Sequence, residues 1–450
     1  MKDNRHPASP GPLTVKATES LGTEGWPEVR LAEVCDSIDY GLTASASEAP
    51  AGPRFLRITD IVPGHIDWHN VPYVEADSET ASKYRLKHGD VVIARTGATT
   101  GVSAYVANPP DAVFASYLVR LKVGKSTDAR FISYFLKSER FWDYMRGVLG
   151  DKSAQPNASA RTMTQAKLRL PPLAVQTAIA HVLGTLDDKI ELNRRRNETL
   201  EAMARAVFKS WFVDFDPVRA KAGGRRPPGL DPATATLFPA AFQDSPLGPI
   251  ARGWEVGCIG DVAENPRRGV GPDELEPGTP YVALEHMPRR CIALDQWGVG
   301  DEVASGKFRF RRGEILFGKL RPYFHKVGVA PVDGVCSTDI LVVVPKSPEW
   351  FAFVLGHVSS DEFVAHADAG STGTKMPRTN WQDMGRYEVA VPPDKIALAF
   401  GHPIAPLIEN IIANIHQSRT LAAIRDALLP KLLSGEIRIP DAEKMAGEVT

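Results

Sequence analysis

The stretch 171–212, PPLAVQTAIAHVLGTLDDKIELNRRRNETLEAMARAVFKSWF, constrains this chain more than any other, because it reads as one long helix with an unbroken seam at gaps of four and three. The seam runs through Ile179, Leu183, Leu186, Ile190, Asn193, Asn197, Leu200, Ala204, Val207 and Trp211. Held over about four heptads, that spacing marks a helix packed lengthwise on another, reaching roughly 55 Å at about 1.5 Å per residue. A second copy runs through Phe400, Ile404, Leu407, Ile411, Asn414, Ser418, Leu421, Arg425, Leu428 and Leu432. Leu200 and Leu421, Ile190 and Ile411, Asn193 and Asn414, and Pro171 and Pro392 are each 221 positions apart. The helix is duplicated, and its polar layers would select register and partner at some cost in stability. Antiparallel pairing would set Asn193 near Ser418 and Asn197 near Asn414, with Ile190, Leu200, Ile411 and Leu421 as apolar layers between and beyond them.

The repeat extends upstream. Trp26 entering VRLAEV matches Trp254 entering EVGCIGDV, 228 positions on. FLRITDI (55–61) and YVALEHM (281–287) read as short buried strands, and KYRLKHGDVVIARTG (83–97) matches KFRFRRGEILFGKLR (307–321). Offsets that drift from 228 through 224 to 221 are those of loops changing length between retained strands. Each unit then continues through another apolar run, a short helical stretch, a Gly/Ser/Thr-rich loop and a strand ending in Pro-Pro, which suits a first helical turn. The expected fold is α/β (α+β): two similar globules of mixed strands and short helices, joined by two long helices pairing as an antiparallel coiled coil. The boundaries read as a disordered tail (1–24), a first globule (25–170), a long helix (171–213), an extended linker rich in Pro, Gly and Ala (214–252), a second globule (253–391), a second long helix (392–437) and a flexible tail (438–450).

Composition narrows the function. The 53 Lys and Arg against 54 Asp and Glu leave a net charge of −1, so any polyanion-binding surface must be a local patch. The four cysteines, Cys35, Cys258, Cys291 and Cys336, form no CxxC pair, which argues for a reducing cytoplasm and against zinc. No uninterrupted apolar run approaches the roughly 18 residues of a membrane span, and a soluble cytoplasmic protein is expected.

Candidate catalytic motifs dissolve on inspection. Asn108-Pro109-Pro110-Asp111 puts an acid where adenine methyltransferases need a stacking ring, and reads as a turn. Val123-Gly124-Lys125-Ser126 lacks the first glycine of a phosphate loop, since position 119 is Val. Asp187-Asp188-Lys189 lies on the polar face of the long helix and reads as solvated, and His65 and His69 sit in a Pro/Gly segment that cannot align them for a metal. No catalytic residue and no metal site are expected.

What recurs instead is basic and amide-bearing side chains at matching places in the two units. The candidates are Lys83, Arg85, Arg95 and Thr96, with Lys152, Gln155, Asn157 and Arg161, in the first half. The second half offers Arg309, Lys319 and Arg321, with Thr374, Lys375, Arg378 and Asn380. Arg and Lys beside small-residue loops can contact phosphates, while Arg pairs bidentate with guanine and Asn or Gln with adenine.

The run from LPPLAVQTAIAHVLGTLDDKIELNRRRNETLEAMARAVFKSWFVDFDPV, the re-entry DSPLGPIARGWEVGCIGDV and the closing LLPKLLSGEI resemble the specificity subunit of type I restriction-modification systems, over nearly the whole span 25–437. The resemblance implies two target-recognition domains that each read half of a bipartite site in double-stranded DNA. It also implies two antiparallel helices that set the spacing and dock two modification (methyltransferase) subunits, with restriction (motor and nuclease) subunits completing the complex. It implies no cofactor on this chain; S-adenosylmethionine, ATP and Mg would serve the partners. Arg425 departs from a uniform seam, standing where the first helix carries Ala204. The competing reading is a coiled-coil scaffold that binds no DNA, which would lack salt-dependent binding to duplex.

Overall fold

The computed structural model describes residues 25–62, 64–150, 156–302, 305–373 and 375–447. The tail expected over 1–24 lies outside them. Two compact units emerge, Met1–Lys189 with Leu421–Thr450 and Ile190–Thr420, so that each holds one globule and part of both long helices.

In the first unit, β1 (Glu28–Arg30) and β8 (Lys167–Arg169) pair antiparallel and bring the two ends of the globule together. Between them, β2 (Cys35–Tyr40), β7 (Leu118–Val123), β4 (Val91–Ala94) and β5 (Ser103–Tyr105) form an antiparallel sheet in that order. β3 (Arg54–Leu56) and β6 (Ala112–Phe114) pair in parallel. β4, read as Val-Val-Ile-Ala, is buried throughout, as a central strand's continuous apolar run requires. A charged residue inside this core is matched: Arg120 on β7 donates to Asp39 at 2.8 Å and to the carbonyl of Arg85 at 2.8 Å. Helices Ala129–Lys137 and Glu139–Leu149, capped by Asp128 and Ser138, follow. The Asp128 amide donates to Gln176 on the long helix at 2.9 Å, and Asp128 accepts from Thr177, fastening the globule to the helix that follows it.

The first long helix spans Leu173–Phe208 and continues as a π-helical turn over Lys209–Val213. The segment 214–252, expected as an extended linker, is folded. Its prolines start helices, Pro217 in Asp216–Ala222 and Pro232 in Pro232–Leu237, and β9 (Phe242–Gln243) pairs with β10 (Ile250–Ala251). Phe215, Val218, Phe238 and Ile250 are buried in the second unit's core. A composition rich in Pro, Gly and Ala therefore served helix starts and turns around a few large apolar anchors.

The second unit repeats the first's connectivity. β11 (Glu255–Cys258) pairs with β21 (Glu388–Val391) as β1 does with β8. β12 (Ala263–Glu264), β20 (Ile340–Pro345), β17 (Ile315–Gly318) and β18 (Val327–Val329) reproduce the order of the four-stranded sheet. β14 (Pro280–Val282) and β19 (Gly334–Cys336) are the parallel pair, enlarged here by β13 (Gly269–Val270), β15 (Gly298–Val299) and β16 (Lys307–Phe310) into five strands. The runs 55–61 and 281–287 are strands only in part. In each, the chain turns into a short helix, Ile58–Ile61 or Leu284–His286, where an acid or a His three residues on returns to the backbone amide.

The second long helix, Asp394–Ser434, is apolar and long enough to cross a membrane by length and composition. Phe400, Ile404, Ile408, Ile411, Ile412 and Ile415 on it are buried in the second unit's core, so its apolarity is used within the chain. The tail expected over 438–450 instead carries a helix, Ile439–Gly447, that buries Ala442 and Ala446.

Within the second unit the two long helices run antiparallel. Trp211 packs its ring 5.4 Å from that of Phe400, Asn197 accepts from Asn414 at 2.8 Å, and Asn193 donates to Gln417 at 2.9 Å and Ser418 at 3.3 Å. Numbers fall on one helix as they rise on the other. In the first unit the same progression reaches Asp187, which accepts from Arg425 at 2.7 Å.

Candidate nucleic-acid interface

Both globules gather three loops at the end of the central strand. In the first, the loop leaving β4 carries Arg95, Thr96 and Gly97. The Arg95 amide donates to the carbonyl of Tyr117 in the β6–β7 turn at 3.0 Å, the Ala158 amide to Arg95 at 2.9 Å, and the Gly97 amide to Pro156 at 2.9 Å. In the second, the loop leaving β17 carries Lys319, Leu320 and Arg321. The Lys319 amide donates to Asp339 at 2.9 Å, the Thr379 amide to Lys319 at 3.1 Å, and the Arg321 amide to Pro377 at 2.7 Å. The two sets of bonds correspond one to one. Thr96 bridges Asn157 as Leu320 bridges Arg378. Ser159 and Asn380 each cap the short helix that follows, accepting from Thr162 at 3.0 Å and Asp383 at 3.0 Å.

The candidate residues divide accordingly. Arg95, Thr96, Asn157 and, on the adjoining helix, the exposed Arg161 share the first cluster; Lys319, Arg321, Lys375 and Arg378 share the second. Lys83 and Arg85 do not join them. They precede β4, at the opposite end of that strand, where Arg85 pairs with Asp111 at 3.2 Å. Arg309 lies within β16 and donates to the carbonyl of Glu274 at 3.2 Å. The Asn380 amide is spent locally, Nδ2 donating to Asp383 at 2.6 Å. Arg378 is paired with Asp339 at 3.0 Å. Lys152, Gln155 and Thr374 lie outside the described residues.

Sequence reasoning missed the aromatic part of both clusters. Tyr40 at the end of β2 is 44% exposed and supports the Arg95 guanidinium 4.8 Å from its ring, while Tyr117 beside it is 60% exposed. Tyr323 is 51% and Met376 47% exposed in the second cluster. There, Leu284, Leu320, Arg321, Phe324, Lys326 and Met376 line a shallow pocket of ≈ 190 Å³. The signal available in the sequence was large rings adjoining basic loop residues, which suit stacking on bases.

The helix pair carries a half-buried ionic layer that the sequence reading placed in solvent. Asp187, taken as part of a solvated face, accepts from Arg425 at 2.7 Å and from the Tyr134 hydroxyl at 2.7 Å, with Lys137 at 3.9 Å. Burial alone would raise its carboxyl, but the charges of Lys137 and Arg425 outweigh that and hold it below the ordinary carboxylate value. The Arg425 that interrupts the seam is therefore satisfied. In the second unit Glu201 is buried, accepts from the Ile292 amide at 3.0 Å and pairs with Arg205; burial raises its carboxyl. Among the described residues no group of His, Cys, Asp and Glu could hold a metal ion.

A mixed globule built twice, each copy presenting three converging loops and followed by a long helix, is the class these features define. A family model described as the type I restriction modification DNA specificity domain matches residues 23–202. The chain is 25% identical over 371 residues to the type I restriction enzyme MjaIX specificity subunit of Methanocaldococcus jannaschii, covering 79% of this chain and 77% of that one. It is 24% identical over 408 residues to the HindI specificity subunit of Haemophilus influenzae, covering 79% and 88%. The crystal structure of a type I restriction-modification S subunit from M. genitalium shares the fold, with a TM-score of 0.51 and 13% identity over 91% of this chain and 96% of that one. These relatives are all specificity subunits of type I restriction-modification systems, and it is these that the chain resembles.

Proposed function

We propose that this chain is the DNA-reading subunit of a type I restriction-modification complex. Each globule contacts one half of a bipartite site through its three-loop cluster, and the helix pair sets the gap and docks modification subunits. The observation that carries the reading is the one-to-one match of loop hydrogen bonds in two globules whose loop-tip side chains differ: one framework, two target sequences. The partners are double-stranded DNA, two modification subunits and restriction subunits, in the cytoplasm. The domains follow the boundaries 25–170 and 253–391, with the helices between and after them. The chain itself performs no chemistry on this reading; S-adenosylmethionine, ATP and Mg belong to the partner subunits.

Titration with random duplexes and then with duplexes selected from a randomised library tests this. Binding should weaken steeply with salt and favour a split consensus; a salt-insensitive chain without sequence preference would return the scaffold reading.

A further inference from the structure

Because the fold is duplicated, each loop position has an internal counterpart. Gly97 holds the left-handed region at φ +79, where a glycine is at ease. Its counterpart, donating its amide to the matching proline carbonyl, is Arg321 at φ 51. A long side chain is therefore held where the fold favours none, and such outliers gather at ligand sites. Arg95, two positions before Gly97, supplies the equivalent side chain in the first cluster. These two arginines share a further property: the Nε of each is buried without a hydrogen-bond partner. Each guanidinium also lies against a ring, Arg95 at 4.8 Å from Tyr40 and Arg321 at 6.0 Å from Phe324, and Arg321 Nη2 donates to the Lys375 carbonyl at 3.3 Å.

We propose that Arg95 and Arg321 are the guanine-reading residues of this protein, one for each half of its DNA site. The proposal rests on the DNA-reading function above and adds which base is read and by which side chain. A half-buried guanidinium that is fixed by a ring on its inner side presents its planar Nη edge in one orientation. That is the geometry that meets guanine O6 and N7 bidentately in the major groove. A phosphate contact needs no such fixing and is served by exposed lysines such as Lys375. The exposed Tyr117, Tyr323 and Met376 around the two arginines suit base edges and thymine methyls better than phosphate oxygens.

Substitution R321G separates structure from reading, because glycine already occupies the counterpart position. The full-length wild-type chain, selected against randomised duplexes, should yield at least one fixed guanine in each half-site. R321G should melt no lower than wild type, keep the other half-site intact, and lose preference at one guanine by about tenfold or more. R95A should do the same in the opposite half. Replacing that guanine with 7-deazaguanine, which lacks the N7 acceptor, should weaken wild type by a similar factor and leave R321G unaffected. The proposal fails if R321G and R95A retain their guanines, or if they weaken all sequences alike and lower the salt slope by about one, the mark of a lost phosphate contact. A wild-type chain with no preference among duplexes would bring down the DNA-reading function itself, and the proposal with it.

Discussion

Arg425→Ala removes the partner of the half-buried Asp187 carboxylate, and the cost can be worked from the geometry. Breaking a fully buried ion pair by deleting one partner costs about 3–5 kcal/mol, because the remaining charge stays buried, while an exposed pair is worth about 0–1 kcal/mol. Here the two side chains keep 25% and 24% of their exposure, and Asp187 retains the Tyr134 hydroxyl and Lys137. The expected loss lies between the two limits, about 2 kcal/mol. For a unit of this size that corresponds to a Tm lower by roughly 4–8 °C, readable by scanning calorimetry. Arg146→Ala, which breaks exposed pairs with Glu139 and Asp143, is the control and should move Tm by clearly less than Arg425→Ala does. The double variant Asp187→Leu/Arg425→Leu should recover most of the loss, since an apolar pair in a helix seam leaves no unpaired charge. The pH dependence follows in sign. The folded Asp187 carboxyl lies below its ordinary value of 3.8, so its contribution is complete above that pH and disappears as pH falls through the folded value. The gap between wild type and Arg425→Ala should therefore close on acidification below about pH 3.8. An Arg425→Ala protein that melts with wild type, or a gap that widens in acid, would show that this layer does not hold the helices together.

Replacing residues 253–391 with the matching globule of a relative should change one half of the selected site and leave the other as it was; altered preference in both halves would break the independence of the globules. Inserting one heptad after Leu186 and another at the antiparallel layer near Leu421 lengthens the pair by about 10 Å at about 1.5 Å per residue. On duplexes of variable gap, the preferred gap should grow by about three base pairs at about 3.4 Å each, or binding should collapse because the second half-site has turned by nearly a third of a helical turn. Full affinity at the old gap would mean the helices do not set the spacing. Asn414→Ala leaves the Asn197 carbonyl oxygen without its 2.8 Å donor and should cost about 1–3 kcal/mol, whereas Asn197→Leu/Asn414→Leu should be more stable than either single change; urea titration of the full chain reads both.

The long helices were legible because a seam is a one-dimensional signal: gaps of four and three survive without knowledge of the neighbours. The duplication was equally legible, since a constant offset needs no structure. The chain's own composition misled where function in the fold depends on a few anchors. Residues 214–252 looked like a linker by their Pro and Gly content, yet Phe215, Val218 and Phe238 outweigh it by burial. Asp187 looked solvated because a helix pattern shows only its own seam and cannot show Tyr134, which reaches it from the preceding globule. The second long helix carries an additional buried stripe, Ile408, Ile412 and Ile415, which its own seam does not show. The basic loop residues were found, but not which end of a strand each occupies. Arg85 and Arg95 lie ten positions apart in sequence and flank opposite ends of β4.

The two copies also separate loop positions that keep their chemistry from loop positions that change it. Pro156 and Pro377 accept the same amide bond, Ser159 and Asn380 cap the same turn, and Asp90 and Glu314 close the turn before the central strand by accepting from the amides of Lys87 and Arg311. At these places the side chain is dictated by the backbone it must satisfy, so chemically similar residues recur. At Arg95 and Lys319, Gly97 and Arg321, and Asn157 and Arg378, backbone geometry is shared while charge, length and hydrogen-bonding capacity change. A scaffold that only held partner proteins through its helices would have no reason to keep this backbone frame while changing the charged side chains it carries. Two half-sites of different sequence would require that: an unchanged frame to reach the groove, and different side chains at the points that touch base edges.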